Sequence, residues 1–163
     1  MKRKSRIYAL TLSAMIAALY VVLTFLANLL GLANYAIQIR FSEALTVLPF
    51  FTAAAIPGLT IGCLLANLLI GAHALDTVFG TLATLIGAVF TYLLRKKSPL
   101  LSPLPPILSN AVIVPFILIY AYGLGDLRAY PYFFATVGIG EVLSAGVLGL
   151  LLYFALRKRK NLF

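Results

Sequence analysis

Residues 41–70 read FSEALTVLPFFTAAAIPGLTIGCLLANLLI, and the fold turns on how this run divides. It is almost wholly apolar, with one acid, Glu43, and four helix breakers: Pro49, Pro57, Gly58 and Gly62. A single α-helix of this length would reach about 45 Å, against a membrane hydrocarbon core of about 30 Å. Pro57-Gly58 is a turn signal. The run therefore splits into two short helices, 41–56 and 58–70. Working outward, Ile7 to Leu30 supplies an apolar helix before it, joined by a more polar stretch from Gly31 to Arg40. After it, 71–75 is a short loop and 76–94 a helix. A proline-rich loop, 98–106, places Pro105 and Pro106 at the start of a helix over 107–122 that should bend at Pro115. The last helix is 132–156.

Composition sets the class. The chain has 163 residues, 63% hydrophobic and only 10% charged, with a mean hydropathy of +1.05. A soluble domain is roughly 45–50% apolar and about 25% charged, so these residues describe an integral membrane protein, and disorder is excluded. The formal net charge is +9, but eleven of the thirteen Lys and Arg fall in three clusters. These are Lys2, Arg3, Lys4 and Arg6; Arg95, Lys96 and Lys97; and Arg157, Lys158, Arg159 and Lys160. Each borders an apolar run, as membrane topology requires and nucleic-acid binding does not. Six crossings place all three clusters, and both termini, on the cytoplasmic side; five would put Arg95–Lys97 outside. The expectation is an all-α membrane protein of six transmembrane helices forming one domain over 1–163. Ile7–Leu30 is longer than a signal-peptide core and reads as a retained helix. Tyr8, Tyr92 and Tyr153 fall near the inner interface, and Tyr120, Tyr122, Tyr130 and Tyr132 near the outer one.

The four acids are informative because none lies in a cytoplasmic tail. Glu43 and Asp76 open predicted helices near the outer face, and Asp126 is in an outer loop. Glu141 lies well inside the last helix, where an unpaired acid costs at least about 2.5 kcal/mol. It is either a structural partner or part of a ligand or ion site. Asn67, Gln38, Arg40 and His73 gather in the same outer half. Arg40 either marks the interface or pairs with Glu43, and His73 is either solvated or a ligand contact. Asn110, lower in its helix, either bonds a neighbouring helix or contacts a ligand. Together they outline a polar pocket open to the outside and capped by loops.

No G-x-x-x-x-G-K-[ST], H-E-x-x-H or G-x-S-x-G is present, and there is one histidine. ATP hydrolysis, zinc proteolysis and serine hydrolysis thus lack their parts. The expectation is a non-enzyme with no cofactor or metal. The lone Cys63 lies in an apolar run and reads as packing. Ala9, Ser13 and Ala17 recur at four-residue spacing, as do Ala14 and Ala18. Such a stripe lets a second helix approach closely, within the chain or from a partner.

Several stretches carry a resemblance. They are Arg40-Phe-Ser-Glu-Ala-Leu-Thr-Val-Leu-Pro-Phe-Phe, Ala55-Ile-Pro-Gly, Gly62-Cys-Leu-Leu-Ala-Asn-Leu, and Asp76 with Phe79-Gly-Thr-Leu-Ala-Thr-Leu. Pro103-Leu-Pro-Pro with Asn110 and Gly138-Ile-Gly-Glu141 continue them. The whole resembles the queuosine-precursor transporter (QueT) family, substrate-binding S components of energy-coupling factor (ECF) importers. The resemblance covers essentially the whole chain and is most specific from Arg40 to Leu85.

The resemblance implies capture of a deazaguanine precursor from the outer side of the cell membrane. Glu43 or Glu141 would accept the two parallel N–H donors of a guanine-like edge. Asn67 or Asn110 would donate to the ring carbonyl, and Asp76 would meet a cationic aminomethyl group. Arg40, Gln38 and His73 complete the candidate set, and an outer-loop Tyr or Phe would stack on the ring. It also implies an ECF transmembrane subunit and two cytoplasmic ATPases as partners, docked on the stripe Ser13, Ala14, Ala17 and Ala18. Alternatives are an S component for riboflavin, thiamine or another vitamin, and a small proton-coupled exporter. An intramembrane enzyme is the remaining one, opposed by the missing motifs.

Overall fold

The computed structural model describes residues 2–32 and 38–158, side chains of 2–5 excepted. Residues 33–37 of the expected polar stretch, and Arg159 and Lys160 of the third basic cluster, lie outside the described residues, as do the side chains of Lys2, Arg3 and Lys4. Every regular element among the described residues is a helix. The longer elements are α1 (Lys2–Leu29), a 3-10 helix (Phe41–Phe50), α2 (Ala55–Leu69), α3 (Ala74–Leu94), α4 (Leu104–Tyr120), α5 (Tyr130–Glu141), a π-helical segment (Val142–Leu148) and α6 (Gly149–Leu156). The last three run on without a break. Four stretches are long and apolar enough to cross a membrane: Arg6–Leu29, Ala74–Leu94, Pro99–Tyr120 and Leu127–Leu156. The 3-10 helix and α2 are shorter.

Residues 41–70 do divide in two, but not at the expected place. The turn is at residues 51–54, where Thr52 Oγ1 accepts from the Ala54 N–H at 3.3 Å. Pro57-Gly58 lies inside α2 rather than breaking it. Pro57 is in the first helical turn, where a missing N–H costs nothing. Gly58 is used for contact: a Cβ there would sit 2.8 Å from the Ser13 carbonyl of α1. The first half is a 3-10 helix where an α-helix was expected. Ten residues of 3-10 helix rise about 20 Å, against about 15 Å for an α-helix. The tighter winding lets a short segment traverse most of the bundle.

Contacts fix the direction of each pass. Ser13 lies against Gly58, and Ala17 and Tyr20 against Gly62, so α1 and α2 run parallel. The 3-10 helix runs back between them, with Tyr20 bonded to Glu43 and Thr24 to Ser42. Asn67 meets Asp76, and Thr84 meets Cys63, so α3 returns antiparallel to α2. Gly87 against Pro106, and Asp76 bonded to Tyr122, set α4 antiparallel to α3. Gly138 against Ala111, and Gly146 against Ile107, set the last continuous helix antiparallel to α4. We call the end where α1 finishes the upper end. Arg6, Arg95, Lys96, Lys97, Arg157 and Lys158 then share the lower end, where Phe50 and Phe51 pack on Tyr153 at ring distances of 5.1 and 5.2 Å.

An apolar core is present, as in a soluble protein, but the surface is apolar too. Large apolar side chains such as Leu10, Val78, Phe90 and Leu151 face outward, while Glu43, Asn67, Asp76, Thr84, Asn110, Glu141 and Ser144 are buried. That arrangement suits lipid as solvent: polar groups satisfy one another inside. The small stripe of α1 is divided by the bundle. Ser13 and Ala17 turn toward α2, with Ser13 Oγ donating to the Ala54 carbonyl at 2.7 Å. Ala14 and Ala18 face outward.

Candidate functional site

The site is built where the extended segment 38–40 enters the 3-10 helix. Gly140 lets that segment lie against α5, because a Cβ at Gly140 would overlap the backbone carbonyl of Gln38. The Arg40 N–H donates to Ser144 Oγ at 3.1 Å, and the Glu43 N–H donates back to the Arg40 carbonyl at 3.1 Å. Ser144 lies in the π-helical segment that begins just after Glu141. π-Helical turns alter side-chain register and are frequent at functional sites.

A cavity of about 640 Å³ opens at the upper end. Its wall includes Thr24 and Asn28 of α1, Gln38 and Arg40 of the extended segment, Asp76 of α3, and Phe133 of α5. The segment after α4, from Tyr122 to Gly125, closes another side. Gly123 and Gly125 have φ of 64° and 116°, a left-handed region that suits glycine at this turn. Tyr122 donates to Asp76 Oδ2 at 2.9 Å and accepts from the His73 N–H at 3.3 Å. Partial burial is the largest cause raising the Tyr122 hydroxyl above its ordinary value; the His73 bond opposes this and the Asp76 carboxylate adds to it. The hydroxyl therefore stays a donor at neutral pH.

Glu43 and Glu141 are not in the cavity wall. They are buried beyond it, 2% and 8% exposed, within electrostatic reach of one another and of Arg40. Arg40 also feels Asp76. Among the described residues it is the cation that interacts with all three acids. Glu43 Oε1 accepts a short hydrogen bond from the Tyr20 hydroxyl, and the Asn110 amide reaches the Glu141 carboxyl. Each carboxyl nevertheless keeps a buried oxygen, Oε2, with no hydrogen-bond partner. An unsatisfied buried polar group costs about 1–3 kcal/mol, and more when charged. Three carboxyls within electrostatic reach of one guanidinium form an acceptor-rich cluster that suits a ligand edge rich in N–H donors or carrying a positive charge.

The other expected residues fall as follows. Gln38 Oε1 accepts from Arg40 Nη2 at 3.4 Å, so the two form one patch of wall. Asn67 is fully buried, with its amide on the Asp76 carbonyl at 3.5 Å and near Cys63 Sγ, where it ties α2 to α3. His73 is exposed, and its Nδ1 accepts from the Leu75 N–H to cap α3. Sequence reasoning missed Tyr20, Thr24, Ser144 and Tyr122. Tyr20 carried a usable signal: unlike the interfacial tyrosines it sits mid-helix, where a phenol in an apolar setting needs a partner.

An apolar-surfaced helical bundle with a polar-lined cavity at one end and buried carboxyls beyond its wall is a membrane-embedded solute-handling protein. The family description "QueT transporter" matches residues 10–158, and the chain belongs to that family of transporters. A curated relative, the queuosine precursor transporter QueT of Lactococcus lactis subsp. cremoris (strain MG1363), is 38% identical over 84 residues. That match covers 52% of this chain and 49% of the relative, so the chain spans about half the length of the curated relative it matches. No solved structure matches.

Proposed function

We propose that this protein captures a deazaguanine-type queuosine precursor for uptake across the cell membrane. The unpartnered buried oxygens of Glu43 and Glu141, two acids within electrostatic reach of Arg40 in the cavity wall, carry the reading. A guanine-like edge presents N–H donors, and each of these two oxygens is an acceptor without a donor. A cationic aminomethyl substituent balances the excess of carboxyls over Arg40, with Asp76 in the wall as its partner. The family membership and the relative's name support the same ligand class.

In this reading the chain makes six crossings, with both termini cytoplasmic and the cavity facing outward. The alternating direction of the helices and the basic residues at the lower end support it. The protein serves as the S component of an ECF importer, whose transmembrane subunit and two ATPases supply the energy that its own sequence has no Walker motif to harness. Ala14 and Ala18, outward on α1, present the docking stripe. Replacing both with Leu should abolish co-purification with the energising module while leaving ligand affinity unchanged. Co-purification that survives removes the docking role.

Titration of the purified protein with aminomethyl-deazaguanine, with riboflavin and guanine as controls, tests the ligand. Selective binding without ATP is the expected result. A folded protein that ignores the precursor and binds riboflavin, or none of the three, overturns the assignment.

A further inference from the structure

We propose that Tyr20 is a positioning residue for the ligand, acting through Glu43. This rests on the ligand reading above. Tyr20 is 1% exposed and lies on the inward face of α1, with its backbone side packed against Gly62 of α2. A Cβ at Gly62 would come within 2.8 Å of Tyr20 Cβ and 3.0 Å of the Ala17 backbone, so the ring is held by a close helix crossing. Its hydroxyl donates to Oε1 of Glu43. One turn later Thr24 repeats the link, with Oγ1 on Ser42 Oγ at 2.9 Å. Two successive side chains of α1 thus grip two successive residues of the 3-10 helix.

The consequence is chemical. A free carboxylate rotates and presents either oxygen. With Oε1 engaged by the phenol, the carboxyl is held in one orientation and the direction of Oε2 is fixed. Oε2 is the oxygen left without a partner. Preorganising an acceptor lowers the ordering cost of binding. Oε2 is the oxygen of Glu43 with both lone pairs open, so a ligand N–H that reaches this carboxyl meets an acceptor of defined direction.

Tyr20→Phe keeps the ring and its packing and removes only the hydroxyl. The expected result is about tenfold weaker binding of aminomethyl-deazaguanine, the scale of one hydrogen bond to a charged group. In a Glu43→Gln background the same change should have little further effect, because the residue Tyr20 acts on has lost its charge. A merely structural role predicts instead that the two losses add. Wild-type affinity in Tyr20→Phe, or additive losses, overturns the proposal. A wild-type protein that does not bind the probe overturns the ligand reading instead. In that event the infrared carboxyl band removed by Glu43→Gln, recorded without ligand, decides the positioning contact alone. A band that shifts in Tyr20→Phe is expected, and an unshifted band overturns it.

Discussion

Glu43→Gln should bind aminomethyl-deazaguanine about ten- to a hundredfold more weakly than the wild type, read by isothermal titration. The variant keeps the shape of the side chain. The amide oxygen can still accept from Tyr20, so the fold is retained. What changes is the atom at the Oε2 position, from an acceptor without a partner to an NH2 donor facing a donor edge. Hydrogen bonds to charged groups contribute about 1.5–3 kcal/mol, and each 1.4 kcal/mol is tenfold in affinity. Glu141→Gln should act in the same direction, because Glu141 Oε2 is equally unpartnered. Unchanged affinity in both variants would falsify the carboxylate-edge reading. A second signature separates function from scaffolding. Neutralising a buried acid in the ligand-free protein relieves a desolvation penalty. The thermal midpoint of Glu43→Gln in detergent should therefore stay level or rise while affinity falls. A site kept for binding rather than stability behaves this way.

Gly140→Val should lose both the site and part of the stability. The obstacle at Gly140 is the backbone carbonyl of Gln38, which cannot swing aside as a side-chain tip would. The extended segment must move, and the bond from the Arg40 N–H to Ser144 Oγ goes with it. Gln38 and Arg40 then leave the cavity wall. Overpacking of this kind costs about 1–3 kcal/mol, and ligand affinity should drop about tenfold for each 1.4 kcal/mol spent moving Arg40. Gly138→Val, two residues away, is the control. Its nearest obstacle is Ala111 Cβ at 3.9 Å, an ordinary contact. Equal behaviour of the two variants in titration and melting would show that the close approach at Gly140 does not hold the segment.

Much of the architecture is legible in one dimension. Runs such as Ile7–Leu30 and Asp76–Leu94 carry their own signal, because length and hydropathy suffice to mark a membrane helix. The four acids stand out for a similar reason: an ionisable group among apolar neighbours is costly and therefore informative. Glu43, Glu141 and Asp76 were legible as candidates on that ground, and Arg40 as a cation close enough in sequence to pair with Glu43. Other features were not. The turn at 51–54 has no proline or glycine to announce it, whereas Pro57-Gly58 announces one that does not form. Asn67 and His73 looked alike with Gln38 as outer-half polar residues, yet one ties two helices together, one caps α3, and only Gln38 lines the cavity.

Composition and hydropathy along the chain are enough to specify a membrane protein of apolar helices with a few isolated polar groups among them. Free energies of transfer depend on local composition, and composition is read along the chain. Tertiary structure decided which polar groups meet. Glu43 pairs with Tyr20 across 23 residues, and Arg40 with Ser144 across 104. Those meetings depend on the rotation of each helix about its axis and on how closely backbones approach at Gly58, Gly62 and Gly140. Rotation and approach are set by side-chain packing between distant segments, a property of pairs of surfaces that no single stretch of sequence contains.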